Sequence, residues 1–145
     1  MDESLDQEAV VAALNRILES ELSGVVRYTH SSLMVAGPNR IPLVAFFQAQ
    51  ADESLLHAQQ VGEILTGFGG QPSTRIAEGG PDEFHSVEQI LQAALDHERE
   101  AVRLYRNLLD IVGDRSVFLE EFARSKISDE EQHQLELSKM LRDYA

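Results

Sequence analysis

The sequence predicts an all-α fold, a four-helix bundle with a long crossover between its second and third helices. Apolar residues recur at alternating steps of three and four in four separate stretches, the spacing of one buried helix face. Two of the breaks between these stretches are short glycine-containing turns, and the middle break is a long segment without a sustained period. No stretch codes for strands. The 145 residues are expected to form one domain, 1–145.

The first helix should begin near Ser4 to Asp6 and run to about Val35. Its stripe reads Val11, Leu14, Leu18, Glu21, Val25, Tyr28, Ser32. Ala36-Gly37-Pro38-Asn39-Arg40 makes a turn, and Pro42 suits the first turn of the next helix. The second helix should run from about Pro42 to Thr66, with Phe47, Gln50, Ser54, His57, Val61 and Ile64 on its stripe. Gly67, Gly69, Gly70 and Pro72 end it. The segment from Gly67 to about His85 is long enough to travel from one end of a bundle to the other. A loose linker between two helical hairpins is the other reading, but neither hairpin could cover its own apolar face. The third helix should span about Ser86 to Val112, with Val87, Leu91, Ala94, Glu98, Ala101, Tyr105, Leu108 and Val112 inward. After the turn at Gly113-Asp114, either Asp114 or Ser116 caps the fourth helix. Its stripe is Leu119, Ala123, Ile127, Glu130, His133 or Gln134, Leu137 and Leu141, and it should continue to about Asp143.

Each of the four stripes carries a polar intrusion at mid-length: Glu21, Glu53 with His57, Glu98, and Glu130 with His133. Carboxylates seldom occupy a buried face unpaired, because burying one alone is costly. A Glu and a His three apart on one helix face can share a metal ion. Ser128 to Glu131 also reads as a capping box, which would make that motif a helix start instead. A buried salt-bridge network is a third reading, and it fails on charge balance because few Lys or Arg lie on the stripes. Six ligands, two of them carboxylates able to bridge, fit two metal ions inside one bundle. A faint two-fold repeat runs through the chain: in each half the first helix has a lone Glu and the second a His near a carboxylate.

Composition narrows the function classes. There is no cysteine, so a metal site must be built from Glu, Asp and His, and no disulfide is possible. The net charge of -13 opposes binding to nucleic-acid phosphates or anionic membranes and suits cations. No apolar run approaches membrane-spanning length, and no signal peptide is visible, so a cytoplasmic location is expected.

At these residues the chain resembles the bacterioferritin branch of the ferritin-like superfamily. Leu14-Asn15-Arg16-Ile17-Leu18 with Glu21 and Tyr28 is similar to that family's first helix. His57-Ala58 follows at the family's spacing, and Asp129-Glu130-Glu131-Gln132-His133 is close to its last motif. The resemblance covers nearly the whole chain. It implies a di-iron ferroxidase that oxidises Fe(II) with oxygen or peroxide for iron storage or detoxification. It further implies Glu21 and Glu53 as terminal ligands, Glu98 and Glu130 as bridges, and His57 and His133 as one nitrogen per iron. Tyr28 would hydrogen-bond a ligand or supply an electron, or else be a core tyrosine with a satisfied hydroxyl. Tyr105, similarly placed, is read as plain core.

Three departures from the family pattern shape further expectations. Serine stands at position 54 where the family's Glu-x-x-His motif has its carboxylate, so Glu53 must reach in from the neighbouring position. On a helix turning about 100° per residue, Glu53 approaches from the opposite flank, and the His57 metal is expected to be the weaker of the two. Leu55 stands where the family has its haem-binding methionine, so no haem is expected. The chain ends at Ala145 without the family's short fifth helix, which leaves a large cage open. At least a homodimer is expected from apolar residues left off the stripes, such as Phe46 and Leu56. Two iron ions per chain are expected, with manganese or zinc compatible with the same donors. The competing functions are a rubrerythrin-like peroxidase, a non-catalytic metal-binding or partner-binding bundle, and a DNA-shielding miniferritin. The last is disfavoured by the absence of a lysine-rich tail.

Overall fold

The computed structural model describes residues 4–144, so the extreme ends of the single domain expected over 1–145 lie outside the described residues. Four α-helices account for most of it: α1 (Gln7–Met34), α2 (Arg40–Gly67), α3 (Val87–Val112) and α4 (Val117–Leu141). A 3-10 turn follows at Arg142–Tyr144. No strand occurs among the described residues.

Local chemistry sets three of the four starts. The side chains of Asp6, Ser86 and Ser116 accept hydrogen bonds from the backbone N–H groups of Ala9, Gln89 and Leu119, at 3.0, 3.2 and 3.3 Å. Each satisfies a donor that the helix cannot satisfy itself. Ser116, not Asp114, is therefore the cap of α4. The capping box at Ser128 to Glu131 is overturned as a helix start, because α4 runs unbroken through it and Ser128 is exposed. At the end of α2 the chain turns through Gly69, whose φ of +80° is a left-handed conformation that side chains disfavour. Gly70 N–H then donates back to the Leu65 carbonyl at 3.0 Å.

The apolar core falls into two clusters. One gathers Leu14, Ile17 and Leu18 of α1, Val61 and Leu65 of α2, Leu108 and Val112 of α3, and Leu119 and Ala123 of α4. The other gathers Tyr28, Leu43, Phe47, Ile90, Leu91 and Leu137. These memberships fix the directions of the helices. The start of α1 and the end of α2 meet the end of α3 and the start of α4, so α2 and α3 run the same way and α1 and α4 run against them. Between the clusters lies a buried layer with Glu21, His57, Glu98 and Glu130.

Because α2 and α3 are parallel, the chain from Phe68 to Ser86 must travel the length of the bundle. It does so along α1 rather than through solvent. Asn15 donates from Nδ2 to the Gln71 carbonyl at 3.0 Å and accepts from Ser73 N–H at 2.8 Å. Further along, Ala77 N–H donates to the Glu19 carbonyl at 3.1 Å, and Arg27 donates to the Pro81 carbonyl at 3.1 Å. The segment expected to cross the bundle is docked by contacts spread over three turns of α1.

Phe46, expected on an outward face, instead packs edge-on against Phe47 with ring centroids 5.3 Å apart and is half-buried. The apolar side chains that do face outward include Val26 and Leu33 on α1 and Leu55 and Leu56 on α2, the last 51% exposed.

Candidate metal centre

Glu21 comes from the middle of α1, Glu53 and His57 from α2, Glu98 from α3, and Glu130 and His133 from α4. All six side chains meet in the layer between the two apolar clusters. Nδ1 of His57 lies 2.9 Å from Glu21 Oε2 and 3.4 Å from Glu130 Oε1, while its Nε2 lies 3.5 Å from Glu53 Oε1. His133 repeats the pattern. Its Nδ1 stands 3.5 Å from Glu130 Oε2 and 3.8 Å from Glu98 Oε2, and its Nε2 stands 3.0 Å from Glu53 Oε2. Each imidazole therefore faces three carboxylates. Two sets of donors close enough to share an ion follow, Glu21 with His57 and Glu130, and Glu98 with Glu130 and His133.

This geometry differs from the sequence expectation in two ways. The side chains that span both histidines are Glu53 and Glu130, each offering one oxygen to each ring. Glu98 reaches His133 alone, and Glu21 reaches His57 alone. Glu53 takes the spanning place because it sits a full turn before His57 and is 31% exposed, at the open edge of the layer, from which it reaches both rings. The expected weakness of the His57 position also loses its basis, since the two rings have equal numbers of carboxylate neighbours. Ser54 is buried elsewhere: a Cβ at Gly24 would sit 2.7 Å from its Oγ and 2.9 Å from His97 Nε2. The serine allows α1 to approach α2 closely just beyond Glu21.

The two tyrosines hold the two carboxylates that each face a single histidine. Tyr28 donates its hydroxyl to Glu98 Oε1, and Tyr105 donates to Glu21 Oε2 at 2.7 Å. Burial, reinforced by the surrounding carboxylates, raises both phenols well above their usual range, so both stay protonated donors. Tyr105, read from sequence as plain core, was underestimated. It follows Glu98 by two turns as Tyr28 follows Glu21, and because α1 and α3 are antiparallel each tyrosine reaches the other helix's glutamate. The internal repeat held that signal. Asp129 was also missed, because it lies off the stripe; its carboxylate comes within 4.8 Å of Glu53 and His57 donor atoms. His97 is a third, a half-buried ring edge-on to Tyr28 at 5.5 Å.

Charge and hydrogen bonding test whether a cation suits this layer. Four carboxylates meet two imidazoles, and among the described residues no Lys or Arg pairs with any of the six. Two imidazolium ions would leave half of that negative charge uncompensated in a poorly solvated interior. Burial lowers the pKa of His57, but bonds to Glu130 and Glu21 more than offset it and push it up to about 9. His133 is pushed up to about 10 by Glu130 and Glu53 against the same desolvation. Burial would raise the Glu130 carboxyl, but His133 and His57 hold it below its usual value. Glu98 Oε2 and His133 Nδ1 are buried without a hydrogen-bond partner. Orphaned buried polar atoms are rare and costly. Hard oxygen donors with imidazole nitrogens, two of these atoms unsatisfied, suit a divalent or trivalent metal.

A bundle of four long helices whose waist carries a carboxylate from every helix and imidazoles from α2 and α4 defines a class of metal-binding bundles. Residues 11–145 match the family model described as Ferritin, the ferritin-like domain, and the chain belongs to that family. Among solved structures, a ferritin-like, diiron-carboxylate protein from Bacillus anthracis str. Ames is 26% identical, with 95% of this chain and 99% of that chain covered and a TM-score of 0.89. The bacterioferritin-related protein from Bacteroides fragilis, a dodecameric thioferritin, is 20% identical over 97% of this chain and 88% of its own, with a TM-score of 0.86. A Dps protein from Bacillus brevis is 19% identical, covers 97% and 99%, and has a TM-score of 0.87. At those identities the last two share the fold. A comparison with curated protein sequences found no match.

Proposed function

We propose that this protein is a ferroxidase that takes Fe(II) as substrate and oxidises it with oxygen or peroxide, in iron storage or detoxification. The observation that carries the reading is the convergence of Glu21, Glu53, His57, Glu98, Glu130 and His133 on one buried layer that keeps two orphaned donor atoms. In this reading Glu21 and His57 hold one iron, Glu98 and His133 hold the other, and Glu53 and Glu130 span both. Manganese and zinc suit the same donors. When bound, the metals supply the electrons that reduce the oxidant. The chain supplies position. Tyr28 holds Oε1 of Glu98 and leaves its Oε2 toward His133, while Tyr105 donates to the same Glu21 Oε2 that faces His57 and so fixes that carboxylate in place. The apolar clusters above and below exclude water, which strengthens every charge interaction between them.

Belonging to the same reading are a cytoplasmic place, where Fe(II) is available, and a homo-oligomer of at least two chains. The exposed Leu55 and Leu56 and the dodecameric assembly of the Bacteroides fragilis protein support the oligomer. No helix among the described residues is long and apolar enough to cross a membrane.

Aerobic addition of Fe(II) to chelator-stripped protein tests the activity. Oxygen uptake coupled to appearance of ferric product is expected. If the loaded protein consumes no oxygen but turns over peroxide with an added reductant, a rubrerythrin-like peroxidase takes its place. If it does neither, it is a binding protein.

A further inference from the structure

His57 faces two ways. Its Nδ1 points at Glu21 and Glu130 in the buried layer, and its Nε2 stands 3.5 Å from Glu53, beyond an ordinary hydrogen bond. On that second side lies another donor set. Ligand atoms of Glu53, His57 and Asp129 lie within 4.8 Å of one another. Glu53 and Asp129 are half-buried, whereas Glu21, Glu98, Glu130 and His57 are buried. The second set is therefore the outer one, at the solvent edge of the seam between α2 and α4. It combines the His57 ring, whose Nε2 lies 3.5 Å from Glu53 Oε1, with two carboxylates. A neutral imidazole has one lone pair, its other nitrogen bearing the proton. The inner and outer positions on His57 are thus alternatives for a single ion.

We propose that Asp129, Glu53 and the Nε2 edge of His57 form an outer loading position, where a divalent cation is captured from solvent before it passes to the buried centre. This rests on the two-metal reading above. Glu53 links the two positions, because its carboxylate faces Asp129 and both histidines. Asp129 belongs to the outer position alone and is absent from both inner donor sets. It speeds loading without holding the ion in the finished centre.

Co(II), which is not consumed by oxidation in this assay, is the probe, followed by stopped-flow absorbance and by equilibrium titration of the full chain. Asp129→Asn should slow Co(II) association by roughly tenfold, the lower end of electrostatic and local capture effects, and leave two ions bound per chain at equilibrium. Asp129→Glu should restore most of the rate. Asp52→Asn removes the same charge from an exposed position on α2 and should load at the wild-type rate. A wild-type rate in Asp129→Asn would overturn the loading position, as would equal slowing in Asp52→Asn, which would reduce the effect to net charge. Fewer than two ions at equilibrium in Asp129→Asn would make Asp129 a ligand of the centre and also overturn it. A wild-type chain that binds no Co(II) would overturn the two-metal reading itself, an outcome distinct from the other three.

Discussion

His57 and His133 stand among carboxylates that hold their protons when no metal is present. Their values of about 9 and about 10 lie above the 6.5 of an unperturbed imidazole. A raised native value means that the folded chain binds the proton more tightly than the unfolded one. The stabilisation is complete below about pH 6.5 and is lost as the pH climbs through about 9 and 10. The urea midpoint of the metal-free protein should therefore fall from neutral pH toward about pH 10, with a smaller fall when Zn(II) is bound. Metal must also displace those protons, so Zn(II) binding at neutral pH should release protons to a weakly buffered indicator. The carboxylates divide by what they touch. Glu53→Ala and Glu130→Ala each remove a group facing both rings and should lower the capacity for both ions. Glu21→Ala and Glu98→Ala should each spare one, and equilibrium titration with Co(II) separates the outcomes. Equal losses from all four would show that the spanning roles are misassigned. Five of the six side chains were legible in sequence because a polar residue on an apolar stripe is conspicuous, and Glu53 was legible as the carboxylate one turn before His57. Which of them spans was not, because Glu53 lies one residue off its stripe and its reach depends on where α4 sits.

The helices and their inward faces could be read from periodicity, with starts near Asp6 and Ser86 and with Ser116 as one of two candidate caps of α4. The docking of the crossover could not, since the segment has no period and its partners on α1 are more than fifty residues away in sequence. Asn15 is the clearest clasp, donating to one backbone group and accepting from another. At about 0.5–1.5 kcal/mol per bond, Asn15→Ala should cost roughly 1–2 kcal/mol in chemical unfolding, with no change in metal capacity. Where α1 crosses α2 and α3, Gly24 leaves no room. An alanine there would place Cβ 2.7 Å from Ser54 Oγ and 2.9 Å from His97 Nε2. Overpacking of this kind costs about 1–3 kcal/mol, so Gly24→Ala should lower the midpoint. Because Glu21 lies one turn away, it should also weaken metal binding, which Asn15→Ala should not. Ser54 looked from sequence like a missing ligand; in space it is the small residue that makes this crossing possible.

Across the whole molecule, the two apolar clusters are separated by the layer of acids and imidazoles. Ordinary helices fray from their ends, where backbone groups lack partners. Here the metal-free molecule carries its least favourable interactions at mid-length, with each end held by its own packed cluster. Opening should therefore begin at the waist. In hydrogen exchange of the metal-free protein, amides near Glu21, His57, Glu98 and Glu130 should exchange faster than those beside Leu14, Leu65 or Leu91. Zn(II) should reverse that order, and an unchanged order would show that the layer is not the weak point. An ion that binds the native state alone stabilises it by mass action, so the protein's resistance to unfolding becomes a reading of the surrounding metal concentration. A chain emptied of its cargo would loosen in the middle and grow more susceptible to proteolysis, and a loaded one would endure.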